Sequence, residues 1–285
     1  MLKKRRTTKI RTAIIPAAGF GTRMLPATKA IPKEMLPIGN KPAIQYIVEE
    51  LVNAGIDNVI IVTGYHKRSI EDHFDYSYEL RDWLKRTRKK KELNEIDRIA
   101  TMANFTFVRQ KEGYGNAIPL ISAQHLLENE PFVLLWGDIL SDQRRTRKAI
   151  ETYNKYKTPV LCATPKSDKE DLKKYGYIAG DLKEKNIYKV KDLLEKPGNS
   201  KGHLGLAVMN GYLLTPDIFN YTSDLKPNRN GEICIIDAIS IMAKKQDVYA
   251  INIQEIEQYD IGTIESYYET FFKLSKNEFK VKKGK

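Results

Sequence analysis

Residues 12–37 read TAIIPAAGFGTRMLPATKAIPKEMLP, and this stretch decides the fold class and the kind of site. The first four residues form a short, mostly apolar run that stops at Pro16, as a buried strand does. Small residues and glycines follow, and they let backbone N–H groups approach phosphate oxygens closely. Arg23, Lys29 and Lys33 add positive charge beside that backbone. The stretch therefore predicts a strand followed by an anion-binding loop.

The loop after this strand matches neither of two common nucleotide-binding motifs. The P-loop pattern G-x-x-x-x-G-K-[ST] is absent, and Met24 stands where the third glycine of G-x-G-x-x-G belongs. A P-loop NTPase and an NAD-binding protein are therefore disfavoured. Pro26, Pro32 and Pro37 predict an extended, pre-shaped loop rather than the start of a helix. On composition alone, a surface loop with ordinary glycines remains an alternative.

Outward from the loop, predicted helices and strands alternate. The run Asn58–Thr63 (NVIIVT) is typical of a strand buried on both faces. Apolar residues at helical spacing fill residues 42–54, between Pro42 and Gly55. The other predicted elements are a long charged helix over 79–99, strands over 105–109, 132–136 and 159–163, and helices over 117–127 and 146–156. This alternation predicts an α/β fold with a parallel, doubly wound sheet.

The pattern changes after residue 170. The predicted elements there are strands over 176–180, 187–194 and 204–214, then helices over 236–245 and 264–274. The three strands have no long helices between them, so we expect a small antiparallel sub-region at about 171–235, near the ligand-binding end of the sheet. One domain is expected over residues 12–275, with basic tails at 1–11 and 276–285.

The positive charge of the chain is unevenly distributed. Its 285 residues include 48 Lys+Arg against 36 Asp+Glu, a net charge of +12. Residues 1–11 contribute +6 and residues 276–285 contribute +4, so the body between them carries only +2. Within that body, residues 81–91 alone carry +6. Because the body contains no recognised nucleic-acid-binding module, we expect no specific nucleic-acid partner.

Cysteine content and hydropathy bear on the compartment. Cys162 and Cys234 are too few for a disulfide framework, and no His or Cys pair has zinc-ligand spacing. No apolar run approaches the roughly 18–20 residues that span a bilayer. The apolar stretch 13–20 that follows the basic start is short and interrupted by Pro16 and Gly19, unlike a signal peptide. We therefore expect a cytoplasmic protein with no membrane partner.

The stretch Gly19–Pro37 closely resembles the signature of the sugar-1-phosphate nucleotidylyltransferase family, and most closely its members that use UTP and glucose 1-phosphate. Shorter matches extend the resemblance over about residues 10–273. They are Lys41-Pro42-x-Ile44-Gln45-Tyr46, Glu71-Asp72-His73-Phe74-Asp75, Arg109-Gln110, Tyr175-Gly176, Glu195-Lys196-Pro197, Gly231-Glu232-Ile233 and Asp260-x-Gly262. The resemblance implies a Rossmann-like, three-layer α/β/α nucleotidyltransferase fold. It also implies a mixed, mostly parallel central sheet with a small antiparallel sugar-binding sub-domain.

The activity implied by this resemblance is transfer of UMP from UTP to α-D-glucose 1-phosphate, giving UDP-glucose and pyrophosphate. The sugar phosphate is already an anion near neutral pH, so no general base has to create the nucleophile. Catalysis should then rest on Mg²⁺, cations and positioning for in-line attack on the α-phosphate. The alternatives are a thymidylyltransferase that uses dTTP, another sugar-1-phosphate nucleotidylyltransferase, and a catalytically silent sugar-nucleotide sensor. Related enzymes form dimers or tetramers, so a homodimer or homotetramer is expected.

Site residues follow from the matching positions. The resemblance assigns Arg23, Lys33 and Asp138 to catalysis, and Asp138 and Asp260 to Mg²⁺. Asp138 follows the buried run FVLLW, and ligands of open α/β sheets bind at such strand ends. For the nucleotide the resemblance implies the backbone of Ala17, Ala18, Gly19 and Gly21, with Lys33 at the triphosphate and Gln110 and Gly115 at the uracil. For the sugar phosphate it implies Gly176, Glu195 and Lys196.

The chain departs from the family pattern near the expected base and sugar sites. Residues 109–117 (RQKEGYGNA) are two residues shorter than the common pattern, and Asn116 stands where histidine is usual. Trp136-Gly137-Asp138 replaces Leu-Pro-Asp, and Cys234-Ile235-Ile236 replaces a polar Gln-Leu-Thr. These departures bear on the choice of nucleotide, UTP or dTTP, rather than on the class of reaction.

Overall fold

The sheet expected from the alternating pattern is present. The computed structural model describes residues 9–166, 171–173, 175–196 and 205–275, so tail residues 1–8 and 276–285 lie outside the described part. The strands are β1 (Thr12–Pro16), β2 (Pro37–Ile38), β3 (Lys41–Pro42), β4 (Asn58–Thr63), β5 (Asn104–Arg109), β6 (Phe132–Leu134), β7 (Ile139–Ser141), β8 (Val160–Pro165), β9 (Gly176–Glu184), β10 (Ile187–Glu195), β11 (Leu206–Leu214), β12 (Tyr249–Asn252) and β13 (Gln258–Asp260).

Nine of these strands form one sheet, in the order β5-β4-β1-β6-β11-β8-β12-β10-β9. Strands β5, β4, β1 and β6 are mutually parallel, and β8 is parallel to β12. Strands β10 and β11 are antiparallel to each of their neighbours. Seven strands therefore point one way and two the other, which confirms a mixed, mostly parallel sheet. The antiparallel strands of the second half extend this central sheet.

Helices cover both faces of the sheet. They are α1 (Ala43–Asn53), α2 (Arg68–Phe74), α3 (Tyr78–Arg86), α4 (Lys90–Thr101), α5 (Ile118–Ala123), α6 (Arg145–Tyr156), α7 (Ile235–Ala243) and α8 (Ile264–Ser275). Adjacent residues of β1 point to opposite cores: Ile15 packs in the cluster that contains Ile47 of α1, and Ile14 in the cluster that contains Ile239 of α7. This arrangement makes three layers, α/β/α. Among the described residues, no helix is long and apolar enough to cross a membrane.

The single long helix expected over 79–99 is wrong, because the structure has two helices there, α3 and α4. Arg88 between them has a left-handed φ of 56°, and the N–H of Lys89 donates to the carbonyl of Leu84 at 2.9 Å. The two helices lie side by side, joined by Arg81 Nη2 donating to Asp97 Oδ2 at 3.0 Å. No glycine or proline marks this turn in the sequence, so periodicity alone could not show the break.

The extended loop expected after β1 is also wrong in detail. No α-helix begins within residues 17–36, as expected, but the chain there makes three short 3-10 turns. The turns are Thr22–Met24, Ala27–Lys29 and Lys33–Met35. Pro26 and Pro32 each stand directly before one of these turns, where the fixed φ of proline suits a helical start. Pro26 and Pro32 therefore precede turns, whereas Pro37 begins strand β2.

Candidate active site

The carboxyl ends of β1 and β4 hold the start of the loop. The N–H of Ala17 donates to the carbonyl of Val62 at 2.8 Å, which continues the pairing of the two strands. A Cβ on Gly64 would lie 2.9 Å from the carbonyl oxygen of Ala18. Only glycine allows this close approach. The predicted nucleotide-binding residues Ala17 and Ala18 therefore lie at the edge of the sheet where open α/β folds bind ligands.

Gly19 and Gly21 shape the loop beyond this edge. Apart from Gly19 itself and its two chain neighbours, no described residue has a heavy atom within 4 Å of where a Cβ on Gly19 would be, so there is open space beside the backbone there. Gly21 has a left-handed φ of 67°, and its carbonyl accepts from Thr28 Oγ1 at 2.8 Å and from the Met24 N–H at 2.9 Å. Met24 is buried and anchors the first turn. Arg23, between these anchors, stays exposed.

The two predicted metal ligands lie on paired strands. Asp138 directly precedes β7 and Asp260 ends β13, and β7 and β13 form an antiparallel two-stranded sheet. The N–H of Ile261 donates to the carbonyl of Asp138 at 3.0 Å. Burial raises the pKa of Asp260, and the charge of Asp138 raises it further. Two carboxylates that are distant in sequence therefore share one site.

Asn210 holds the segment that carries Asp138, and no motif in the sequence pointed to this role. Its Oδ1 accepts from the Trp136 N–H at 2.8 Å, and its Nδ2 donates to the carbonyl of Ile139 at 3.1 Å. Asn210 is buried in the middle of β11. Because these bonds lie on either side of Asp138, they fix the backbone from which its carboxylate projects. The asparagine inside the mostly apolar run LAVMNGYLL was the only signal for this role in the sequence, since a buried polar side chain needs hydrogen-bond partners.

Lys33 pairs with Asp138 and lies near the buried ion pair between Glu34 and Lys67. Lys33 Nζ forms an ion pair with Asp138 Oδ2. Burial opposes the charge of Lys33, but the carboxylates of Asp138 and Glu34 outweigh it and raise the pKa of Lys33. Glu34 pairs with Lys67 at 2.7 Å, with both side chains nearly inaccessible to solvent. A Cβ on Gly137 would lie 3.2 Å from Glu34 Cγ. The absence of a side chain at Gly137 therefore leaves room for Glu34 next to Asp138.

Arg23 reaches the same site from the loop. One terminal guanidinium nitrogen of Arg23 lies 3.2 Å from where a Cβ on Gly262 would be. Gly262 is also the residue whose N–H donates to Asp260 Oδ1 at 2.6 Å. The structure therefore brings Arg23, Lys33, Asp138 and Asp260 together, two cations around two carboxylates.

The residues predicted to bind uracil lie at the neighbouring strand end. Gln110 follows β5, and its N–H donates to the carbonyl of Thr63 at 2.8 Å. Gly115 has a φ of 123°, and a Cβ on it would lie 2.3 Å from the backbone nitrogen and oxygen of Ile233. The close contact with Ile233 is a structural reason for this glycine, in addition to the expected approach of a base ring.

The residues predicted to bind the sugar phosphate form a cluster on β9 and β10. Glu195 pairs with Gly176 across the two strands, and a Cβ on Gly176 would lie 3.1 Å from Glu195 Oε2. Lys196 Nζ lies 3.4 Å from Glu195 Oε1. Burial raises the pKa of Glu195, although Lys196 opposes the shift. The Glu195 side chain is 28% exposed, so its carboxylate can accept hydrogen bonds from a bound ligand.

A cavity lies beside Asp260, one of the two carboxylates. It has a volume of about 370 Å³, and Tyr175, Asp260, Ile139 and Lys166 are among the residues that line it. Burial and the nearby charges of Asp260 and Asp171 raise the pKa of Tyr175. Tyr175, which directly precedes Gly176 in the chain, therefore lies near Asp260.

The carboxylate pair fits a divalent cation that is shared with phosphates. Within the described ranges, no cluster of three or more His, Cys, Asp or Glu side chains could hold a metal by itself. Asp138 and Asp260 offer the carboxylate oxygens that Mg²⁺ uses together with phosphate oxygens. Burial is the main cause of the raised pKa of Asp260, and the charge of Asp138 adds to it; a cation bound by both carboxylates would relieve this repulsion.

Comparison with known proteins agrees with this geometry. The family described as Nucleotidyl transferase matches residues 12–277. The UTP–glucose-1-phosphate uridylyltransferase YngB of Bacillus subtilis is 43% identical over 256 residues, which cover 89% of this chain and 86% of that protein. A UTP–glucose-1-phosphate uridylyltransferase of Staphylococcus epidermidis is 44% identical over 256 residues, 89% of this chain and 88% of that protein.

Comparison with solved structures points to the same kind of protein. The crystal structure of a UDP-glucose pyrophosphorylase complexed with UDP-glucose superposes with a TM-score of 0.84 at 39% identity, over 94% of this chain and 100% of that chain. The family expected from residues 19–37 is confirmed by these matches. The chain belongs to the nucleotidyl transferase family.

Proposed function

We propose that the chain transfers UMP from UTP to α-D-glucose 1-phosphate and releases pyrophosphate. The two bacterial relatives above are named for this activity, and each aligns with most of the chain. The observation that carries the proposal is the convergence of cations and carboxylates at one edge of the sheet, beside a cluster suited to a sugar phosphate. The residues concerned are Arg23, Lys33, Asp138 and Asp260 on one side and Gly176, Glu195 and Lys196 on the other.

In the proposed reaction the chain positions two polyanions and moves no proton. A phosphate oxygen of glucose 1-phosphate attacks the α-phosphorus of UTP, and the bond from that phosphorus to the bridging oxygen of the leaving pyrophosphate breaks. Arg23 and Lys33 bind the triphosphate and stabilise the charge that develops on it. The ion pair with Asp138 holds Lys33 at this edge of the sheet. Lys196 holds the phosphate of the sugar.

Asp138 and Asp260 are proposed to hold Mg²⁺ between the protein and the phosphates. Mg²⁺, when bound, neutralises phosphate charge and favours attack on the α-phosphorus. Asn210 and the Ile261 N–H fix the backbone from which the carboxylate of Asp138 projects.

Recognition of the two organic groups is proposed for the outer residues of the site. The amide of Gln110 can both donate to and accept from the edge of uracil, and Gly115 lets the ring approach the backbone. Backbone groups of Ala17, Ala18, Gly19 and Gly21 bind the nucleotide at the open edge. Glu195, whose pKa burial raises, accepts hydrogen bonds from sugar hydroxyls beside Gly176.

The proposal is tested by a substrate panel. Purified protein is incubated with Mg²⁺, each nucleoside triphosphate and each of several sugar 1-phosphates while pyrophosphate release is measured. We expect release with UTP and glucose 1-phosphate, and none after chelation of the metal. A preference for dTTP would indicate a thymidylyltransferase instead. UDP-glucose binding without release from any pair would identify a catalytically silent sensor and refute the proposed activity.

Organisation, assembly and location are further parts of the proposal. We propose one domain over residues 12–275 in which residues 171–235 bind the sugar. A homodimer or homotetramer is tested by light scattering of the full chain, and a cytoplasmic location by cell fractionation. A specific nucleic-acid partner is not proposed, and salt-resistant binding to a defined sequence would contradict this view.

A further inference from the structure

The segment that carries Gly115 is joined to the segment that precedes α7. The N–H of Ile233 donates to the carbonyl of Tyr114 at 2.8 Å, and the N–H of Ala117 donates to the carbonyl of Ile233 at 3.0 Å. Between these bonds, Gly115 allows a backbone contact that a Cβ would block, since the Cβ would lie 2.3 Å from Ile233. The nucleotide side and the start of α7 are therefore in direct backbone contact.

Asn116 adds a side-chain bond to this contact. Its Oδ1 accepts from the N–H of Ile235 at 2.7 Å. Ile235 is the first residue of α7, and the first N–H groups of a helix have no partner within the helix. A side-chain acceptor usually comes from the residue just before the helix. In this chain it comes from the segment that is proposed to bind uracil.

The first turn of α7 also reaches the sugar side. Ile236 Cδ1 lies 2.5 Å from where a Cβ on Gly176 would be, and Glu195 Oε2 lies 3.1 Å from the same point. Ile236 therefore packs directly against Gly176, beside Glu195. A displacement of the start of α7 would move Ile236 relative to Glu195 and change the shape of the sugar subsite.

We propose that Asn116 is a positioning residue that couples the nucleotide subsite to the glucose 1-phosphate subsite through the N-terminus of α7. The inference rests on the proposed function, because that function assigns the two subsites. A nucleotide bound beside Gly115 acts on Asn116, whose bond to Ile235 holds the start of α7, and α7 in turn places Ile236 against Gly176. Such coupling is reciprocal, so each ligand raises the affinity for the other by the same factor.

The test measures binding instead of turnover. Glucose 1-phosphate is titrated calorimetrically into the full chain, with and without a UTP analogue whose α,β-bridging oxygen is replaced by methylene. Wild type should bind glucose 1-phosphate about tenfold more tightly when the analogue is present. Asn116→Leu has a similar size and no acceptor, so the analogue should change the affinity by less than about twofold.

Two further variants separate positioning from general damage. Asn116→Asp keeps an acceptor oxygen at a helix N-terminus, where negative charge is favourable, so it should restore the coupling. Asn104→Leu removes a comparable side-chain bond, Asn104 Nδ2 to Asn58 Oδ1 at 3.0 Å, at the amino ends of β4 and β5 and should leave the coupling unchanged. Thermal unfolding checks that each variant is folded, and Asn116→Ala replaces Asn116→Leu if the latter does not fold.

The outcomes separate this inference from the proposed function. If wild type releases no pyrophosphate from UTP and glucose 1-phosphate, the proposed function fails and the inference fails with it. If wild type is active but folded Asn116→Leu shows the wild-type coupling factor, the inference alone is wrong. Loss of coupling in Asn116→Asp as well would also overturn it, because the acceptor oxygen would then not be the cause.

Discussion

Replacement of Arg145 by methionine should strongly destabilise the fold, because it leaves a buried carboxylate without its counter-charge. Arg145 is fully buried, and it donates to Glu50 from Nη2 at 2.8 Å and from Nε at 3.2 Å. It also donates to the carbonyls of Ile139 and Asn210 at 3.3–3.4 Å. Glu50, 1% exposed, accepts in addition from Ser141 Oγ at 2.6 Å. The network therefore ties α1 and α6 to β7, the strand next to Asp138.

The expected loss in the free energy of unfolding at pH 7 is about 3–5 kcal/mol, the usual cost of removing one partner of a buried ion pair. Arg145→Met combined with Glu50→Gln removes both charges and keeps an amide that can bond to Ser141. Because no charge is then buried, the double variant should regain most of the loss. Arg81→Met removes a partly exposed pair with Asp97 and should cost less than about 1 kcal/mol.

The pH dependence gives an independent check. Burial tends to raise the pKa of Glu50, but the charge and hydrogen bonds of Arg145 outweigh it and lower the pKa below its usual value. In wild type this contribution to stability is present above the unfolded-state pKa, about 4.3, and is lost as the pH falls through the lower folded-state value. In Arg145→Met, burial instead raises the pKa of Glu50. The difference in stability between the two proteins should therefore shrink as the pH is lowered from 7 towards 4.

Urea unfolding followed by far-UV circular dichroism measures these free energies. A loss below about 1 kcal/mol for Arg145→Met at pH 7 would refute the assigned role of the ion pair. A double variant as unstable as Arg145→Met would show that lost packing, and not an uncompensated charge, causes the effect.

Three further predictions concern the site and its surroundings. Gly176→Ala places a Cβ 2.5 Å from Ile236 Cδ1, so it should raise the KM for glucose 1-phosphate much more than the KM for UTP in steady-state assays. Burial raises the pKa of Glu195, so calorimetric affinity for UDP-glucose should fall as the pH drops towards that raised value; an equal pH dependence in Glu195→Gln would contradict this. Burial raises the pKa of Cys162 to about 12 and that of Cys234 to about 11. Iodoacetamide at pH 7 should therefore label neither thiol before urea is added, as read by mass spectrometry.

Features that depend on a short stretch of chain were predictable from the sequence. The strand Asn58–Thr63 was predicted with its observed bounds, because a continuous run of β-branched residues is typical of a strand buried on both faces. The loop 19–37 carried the family resemblance, since all its residues are contiguous. Asp138 could be placed at a strand end from the buried run that comes before it in the chain. Contiguous residues were therefore enough to predict where one half of the site lies.

The structure alone decided the features that join distant parts of the chain. The turn at Arg88 is formed without glycine or proline, so the local pattern of residues 79–99 continued through it. The buried hydrogen bonds of Arg145 and Asn210 could not be predicted from the sequence, because their partners are distant in the chain and come close only in the folded structure. The resemblance pointed to Asp260, but its place beside Asp138 follows from the pairing of β13 with β7. Local residue patterns determine which strands and loops form. Which strand ends meet is determined by strand pairing between distant segments and by the hydrogen bonds that buried polar groups require.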